Sequence, residues 1–179
     1  MKLLTYQTQN SEARLGFIHN NKVIDMENFG NIMQFPLPST MLGLIDMGDI
    51  VIPEINALMI NCDPNDLLGI SFTMDEITIL APIPTPRKNI IGIGLNFTEH
   101  VAESARTLDT SKELPQKPII FSKPPTAVTA TNTNILLNPK LTQQLDWEVE
   151  LAVVIGKKGK YVAKENALDY VFGYTVIND

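Results

Sequence analysis

Residues 145–159, LDWEVELAVVIGKKG, place two glutamates two positions apart at the entrance to an apolar run. Side chains alternate between the faces of a strand. Asp146, Glu148 and Glu150 are therefore expected on one face, and Leu145, Trp147, Val149 and Leu151 on the other. The continuation, LAVVIG, has the composition of a strand buried on both faces. Taken alone, two alternating acids describe a strand with one wet face, which is common in antiparallel sheets. Two features point further: no basic residue alternates with the acids, and the strand runs directly into buried-type sequence. Carboxylates beside a buried segment need a counter-charge. A divalent cation supplies one, and carboxylate oxygens select hard ions such as Mg²⁺ or Mn²⁺, with Ca²⁺ as an alternative.

Asp179 ends a second strand-like segment, GYTVIND. An acid in that position is ordinarily a solvated strand end. As a ligand it would complete a three-carboxylate set with Glu148 and Glu150. In NFTEHVAES, His100 and Glu103 stand three residues apart. On a helix that spacing makes them neighbours on one face. A carboxylate beside an imidazole orients it and stabilises its protonated form, as a general acid–base pair requires. An ordinary surface pair has the same spacing. Lys123, at the end of PIIFSK, is either an exposed lysine or a contact for an anionic substrate group.

Other chemistries find no support. The stretch IGIGLNF has Phe97 where a dinucleotide fingerprint needs its third glycine, so Gly92 and Gly94 are read as sites of close backbone approach. There is no CxxC pair for zinc and no Ser-His-Asp order. The net charge is −6 with no Lys/Arg-rich run, which argues against nucleic-acid and acidic-membrane partners. No apolar stretch reaches membrane-span length, and the N-terminus lacks the apolar core of a secretory signal. Cys62 is the only cysteine, which favours a reducing, cytoplasmic location.

The proline-rich stretch LAPIPTPRKN is a stiff connector. It divides the chain into a small mixed domain, 1–81, and a second domain, 82–179. In the first, Arg14–Ile18 and Val23–Met26 flank the turn HNNK as a hairpin, with His19 a solvated turn residue. Two short helices follow, PSTMLGLIDMGD with Ser39 as its N-cap and PEINALMINC with Pro53 in its first turn. The second domain reads as strand NIIGIG, helix TEHVAESAR, polar loop TLDTSKELPQKP and strand PIIFSK. After the LAVVIG strand come a turn at GKKGK, a helix near KENALDYV and strand GYTVIND.

Four segments in this order, GLNFTEHVAE, PIIFSKPPTAV, LDWEVELAVVIGKKGK and ALDYVFGYTVIND, resemble the fumarylacetoacetate hydrolase family. The resemblance runs from about Ile83 to Asp179, and residues 1–81 resemble the small domain that many bacterial members carry. It implies an α+β chain: a small N-terminal domain followed by part of a mixed β-roll catalytic domain. It implies Mg²⁺ or Mn²⁺ on Glu148, Glu150 and Asp179, His100 and Glu103 as the pair that moves protons, and Lys123 near the substrate anion. Substrates would be small anionic 2-oxo or 1,3-diketo acids, and the assembly a homodimer. The leading expectation is hydrolysis of a C–C bond in an acylpyruvate or fumarylpyruvate. Oxaloacetate decarboxylation or tautomerisation and 2-oxo-acid hydration or isomerisation are the alternatives. The family's catalytic domain continues past IND with an arginine and a later lysine, so the chain is read as a fragment or a naturally shortened form. A shortened form could be inactive and serve binding or assembly. Ala163, where relatives often have a capping serine, is expected to weaken the start of the following helix.

Overall fold

The computed structural model describes residues 1–9, 11–99, 101–102 and 115–179. The fold is α+β. Two compact units emerge: Met1–Pro84 together with Thr129–Asp179, and Thr85–Val128.

The first unit begins with β1 (Leu3–Gln7), β2 (Arg14–His19) and β3 (Lys22–Asp25), each antiparallel to the next. Asn20 and Asn21 make the β2–β3 turn with φ values of 47° and 60°, a left-handed pair that asparagine tolerates and that matches strand twist. Helices α1 (Met26–Ile32), α2 (Met41–Asp46) and α3 (Val51–Asn61) follow. The short β4 (Ser71–Phe72) and β5 (Thr78–Ile79) then complete a sheet ordered β4-β3-β2-β1-β5. Alternation divides this sheet's side chains. Leu15, Phe17 and Ile24 face a helical core with Met26, Phe29, Leu44, Val51 and Ile55, whereas Leu4, Tyr6 and Val23 form a smaller cluster. The rings of Phe17 and Phe29 meet edge-on at 5.3 Å between centroids.

Two expectations for this region change, and one strand is new. β1 has no counterpart in the sequence reading. The strand expected to reach Met26 ends at Asp25, whose side chain accepts from the Asn28 N–H and starts α1. The cap of α2 is Thr40, whose side chain accepts from the Gly43 N–H, and not Ser39. Ser39 is instead held through its carbonyl, which accepts from the Leu15 N–H at 2.7 Å. Thr40→Ala should therefore destabilise the chain by about 1 kcal/mol in urea unfolding, and Ser39→Ala by a few tenths at most. Equal effects would return the cap to Ser39.

The second unit holds β6 (Ile90–Gly94) and β7 (Ile119–Lys123) as an antiparallel pair. Thr98, Glu99, Val101 and Ala102 are helical, and the Val101 N–H donates to the Phe97 carbonyl. Gly92 stands opposite Phe121, and a Cβ there would lie 2.3 Å from the phenyl ring. The glycine thus makes room for a ring, not for backbone. Ile91 and Ile93 are 61% and 43% exposed, so the face of β6 that carries them is open.

The first unit closes with β8 (Val149–Ile155) and β9 (Val171–Asn178), an antiparallel pair with a bulge next to Val154/Ile155. Between them Lys164–Tyr170 forms a 3-10 helix, not an α-helix, and Ala163 at its start makes no side-chain cap. Among the described residues, no helix is long and apolar enough to cross a membrane.

Candidate metal centre

Strand register builds the site. Val149 pairs with Asn178 and Glu150 with Ile177. One step beyond the ladder, the Asp179 N–H donates to the Glu148 carbonyl at 2.8 Å, and the Glu148 N–H donates to Asn178 Oδ1 at 2.9 Å. Glu148 therefore lies opposite Asp179. Alternation along β8 puts Glu150 on the same face as Glu148, and alternation along β9 puts Asp179 on the face of Ile177, opposite Glu150. One oxygen from each of Glu148, Glu150 and Asp179 lies within 4.8 Å of the others. Glu148 is exposed, and Glu150 and Asp179 are half-buried.

This donor set fits a hard divalent ion. Octahedral coordination at about 2.1 Å places adjacent ligand oxygens about 3 Å apart and opposite ones about 4.2 Å apart. Three carboxylate oxygens within 4.8 Å of one another lie close to those spacings, and three carboxylates supply the hard charge that such an ion selects.

The structure departs from the expected face in two respects. Asp146 does not join the acids: it lies three residues before β8, beyond the single extra step of pairing that reaches Glu148, and its carboxylate accepts from the Trp147 N–H at 2.8 Å. The LAVVIG segment is not buried on both faces. Val149, Leu151, Val153 and Ile155 are 76%, 68%, 48% and 59% exposed, while Glu150, Ala152 and Val154 form the half-buried face. Apolar composition marks a strand suited to burial, but burial depends on what packs over each face.

His100 and Glu103 lie outside the described residues. Lys123 closes β7 in the second unit, with Nζ 6.0 Å from the Phe121 ring centroid. Asn178 was missed as a site residue. Its side chain fixes the Glu148 backbone across the hairpin, and the only trace of this in the sequence is an amide directly preceding the acid of IND.

A face-sharing carboxylate triad on a β-hairpin within an α+β chain is a donor set suited to a divalent ion. Residues 89–179 match the fumarylacetoacetate (FAA) hydrolase C-terminal family. The chain belongs to the fumarylacetoacetate hydrolase family. It is 44% identical over 117 residues to oxaloacetate tautomerase YisK of Bacillus subtilis, covering 65% of this chain and 38% of that protein. It is 34% identical to the mitochondrial oxaloacetate tautomerase FAHD2A of Bos taurus, covering 100% of this chain and 52% of that one. The chain thus spans about half the length of the curated relatives it matches, or less. Among solved structures it resembles a fumarylacetoacetate hydrolase from Exiguobacterium antarcticum, with TM-score 0.67 and 28% identity over 100% of this chain and 55% of that chain. A maleylpyruvate hydrolase from Sphingobium sp. SYK-6, solved with manganese(II) and pyruvate, shares the fold at TM-score 0.68 and 22% identity, over 100% of this chain and 58% of that chain.

Proposed function

We propose that this chain carries the metal-binding part of an oxaloacetate tautomerase. The observation that carries the reaction type is the similarity to tautomerases, 44% identity over 117 residues in one and 34% over the whole chain in another. That similarity favours the tautomerase alternative over the C–C hydrolase that led the sequence reading. The convergence of Glu148, Glu150 and Asp179 supports the metal, and the manganese in the maleylpyruvate hydrolase supports its class.

Tautomerisation makes modest demands. One proton leaves C3 of the keto acid and one arrives at the C2 oxygen; no water adds and no carbon–carbon bond breaks. A divalent ion, when bound, supplies the positive charge that makes the C3 proton of a 2-oxo acid more acidic. The protein must hold the dicarboxylate and shuttle a proton. We assign the shuttle to His100, oriented by Glu103. We assign a substrate carboxylate to Lys123 as a point-charge contact. The reading includes a homodimer, from the family resemblance, and a cytoplasmic location, from the lone Cys62.

The test is the decay of enol-oxaloacetate absorbance with Mn²⁺ present, alongside an acylpyruvate hydrolysis assay. Accelerated ketonisation with background hydrolysis is the expected result. Hydrolysis without ketonisation would restore the C–C hydrolase reading. Tight Mn²⁺ binding with neither reaction would leave a binding or assembly role.

A further inference from the structure

The acidic hairpin is fastened at the end opposite its carboxylates. Along β9 the register skips a residue: Val154 pairs with Gly173, and Ile155 pairs with Val171. Phe172 is the extra residue of this bulge. Bulges re-aim side chains, and here Phe172 packs, with Val154, against the N-terminal core cluster that contains Leu44, Ile45, Val51 and Ile55. Gly156 makes room for it, since a Cβ there would sit 3.0 Å from the Phe172 Cβ, and the Gly156 N–H donates to the Tyr170 carbonyl at 2.8 Å. Just beyond, Lys157 forms an ion pair with Asp49, between α2 and α3.

A two-stranded ribbon is marginally stable by itself and free to twist. Register brings its three carboxylates to one face, but their mutual repulsion opposes close approach. Val154, Ala152 and Glu150 share one face of β8, so fixing the direction of Val154 fixes the direction of Glu150, about 13 Å along the strand. The exposed Asp49–Lys157 pair contributes little to such a clamp. The packed phenyl ring is the part that resists rotation.

We propose that Phe172 is a positioning residue through which the N-terminal domain sets the geometry of the carboxylate triad. This rests on the metal reading of Glu148, Glu150 and Asp179. It gives residues 1–81 a role in the chemistry although Glu148, Glu150 and Asp179 all lie outside them. Coupling between two sites is reciprocal: if docking on the N-terminal core favours the ion, the ion must equally favour docking.

Three measurements on the full chain test it. Mn²⁺ affinity, read from the free-ion electron paramagnetic resonance signal, should fall about tenfold in Phe172→Ala, the scale on which outer partners tune metal sites. Phe172→Leu, which keeps an apolar contact, should restore it to within about threefold of the original. In the unsubstituted protein, saturating Mn²⁺ should slow amide hydrogen exchange in α2 and α3, and this needs no variant, so it decides even where Phe172→Ala does not fold. Unslowed exchange in α2 and α3, or a folded Phe172→Ala with unchanged affinity, overturns the positioning role while leaving the metal reading intact. Failure of the unsubstituted chain to bind Mn²⁺ removes the metal reading, and this inference with it.

Discussion

Glu150→Ala should weaken Mn²⁺ binding by at least about 100-fold, more than the loss of an outer partner, and reduce the proposed oxaloacetate ketonisation by about 10²–10³-fold. Glu150 is the half-buried glutamate of the triad, and its strand partner Ile177 lies two residues before Asp179 on the same face. Removing it leaves two carboxylates, one of them on exposed Glu148. Glu150→Gln separates charge from shape. It keeps the side-chain volume, and its affinity should remain close to that of the alanine variant if charge is what the ion requires. Asp146→Ala is the matched control. Simple alternation from Glu148 would assign it to the same face, yet it lies outside β8 and its carboxylate accepts from the Trp147 N–H, so affinity should stay within about twofold of the unsubstituted protein. Isothermal titration with Mn²⁺ reads all three. Equal losses at Asp146 and Glu150, or none at Glu150, would dissolve the triad as a site.

Asp25→Ala should destabilise the protein by about 3–5 kcal/mol, a large share of the 5–15 kcal/mol typical of a folded domain. Asp25 is 1% exposed. Its carboxylate accepts from Arg14 Nε at 2.6 Å, Arg14 Nη2 at 2.8 Å, the Tyr6 hydroxyl at 2.6 Å and the Asn28 N–H at 2.9 Å. One group thus joins β1, β2 and the start of α1. Its removal uncaps α1 and leaves the Tyr6 hydroxyl and the Arg14 guanidinium without their main acceptor, although Arg14 keeps Glu27 at 2.9 Å. Burial alone would raise the Asp25 pKa; the hydrogen bonds from Arg14, then from Tyr6 and Asn28, outweigh it and hold the carboxyl below its ordinary value. The folded pKa lies below the unfolded one, so this stabilisation is complete above the unfolded value of about 3.9 and is lost as pH falls through the depressed folded value. Urea midpoints of the unsubstituted protein should therefore drop steeply only below about pH 4, with a shallower drop in Asp25→Asn. A loss under 1 kcal/mol at pH 7 for Asp25→Ala would mean the network relaxes around the gap.

Features set by neighbouring residues were legible. The HNNK turn needs two left-handed residues, and asparagine supplies both. The alternation of Glu148 with Glu150 follows from the two-residue strand period, and their partnership with Asp179 was readable only through the family's motifs. Features set by where an element begins were misread. Asp146 was counted with the acids because the pattern does not reveal that β8 starts at Val149. Ser39 and its neighbour Thr40 can both cap, and only the first helical residue decides between them. Helix α1 was missed because its seven residues are too few to show a helical period, and Asp25 serves as its cap only once β3 is known to stop there.

Residue order alone carried the chemistry of this chain: its acids, their spacing, and motifs specific enough to place it in a family. Tertiary structure decided what chemistry needs in space. Asp179 meets Glu148 across some thirty residues through strand register, which is chosen by pairing and not by local preference. Which apolar face is covered, and which bulged phenylalanine reaches the N-terminal core, likewise depends on contacts between segments distant in sequence. Those contacts are settled by packing, so no short window of residues contains them.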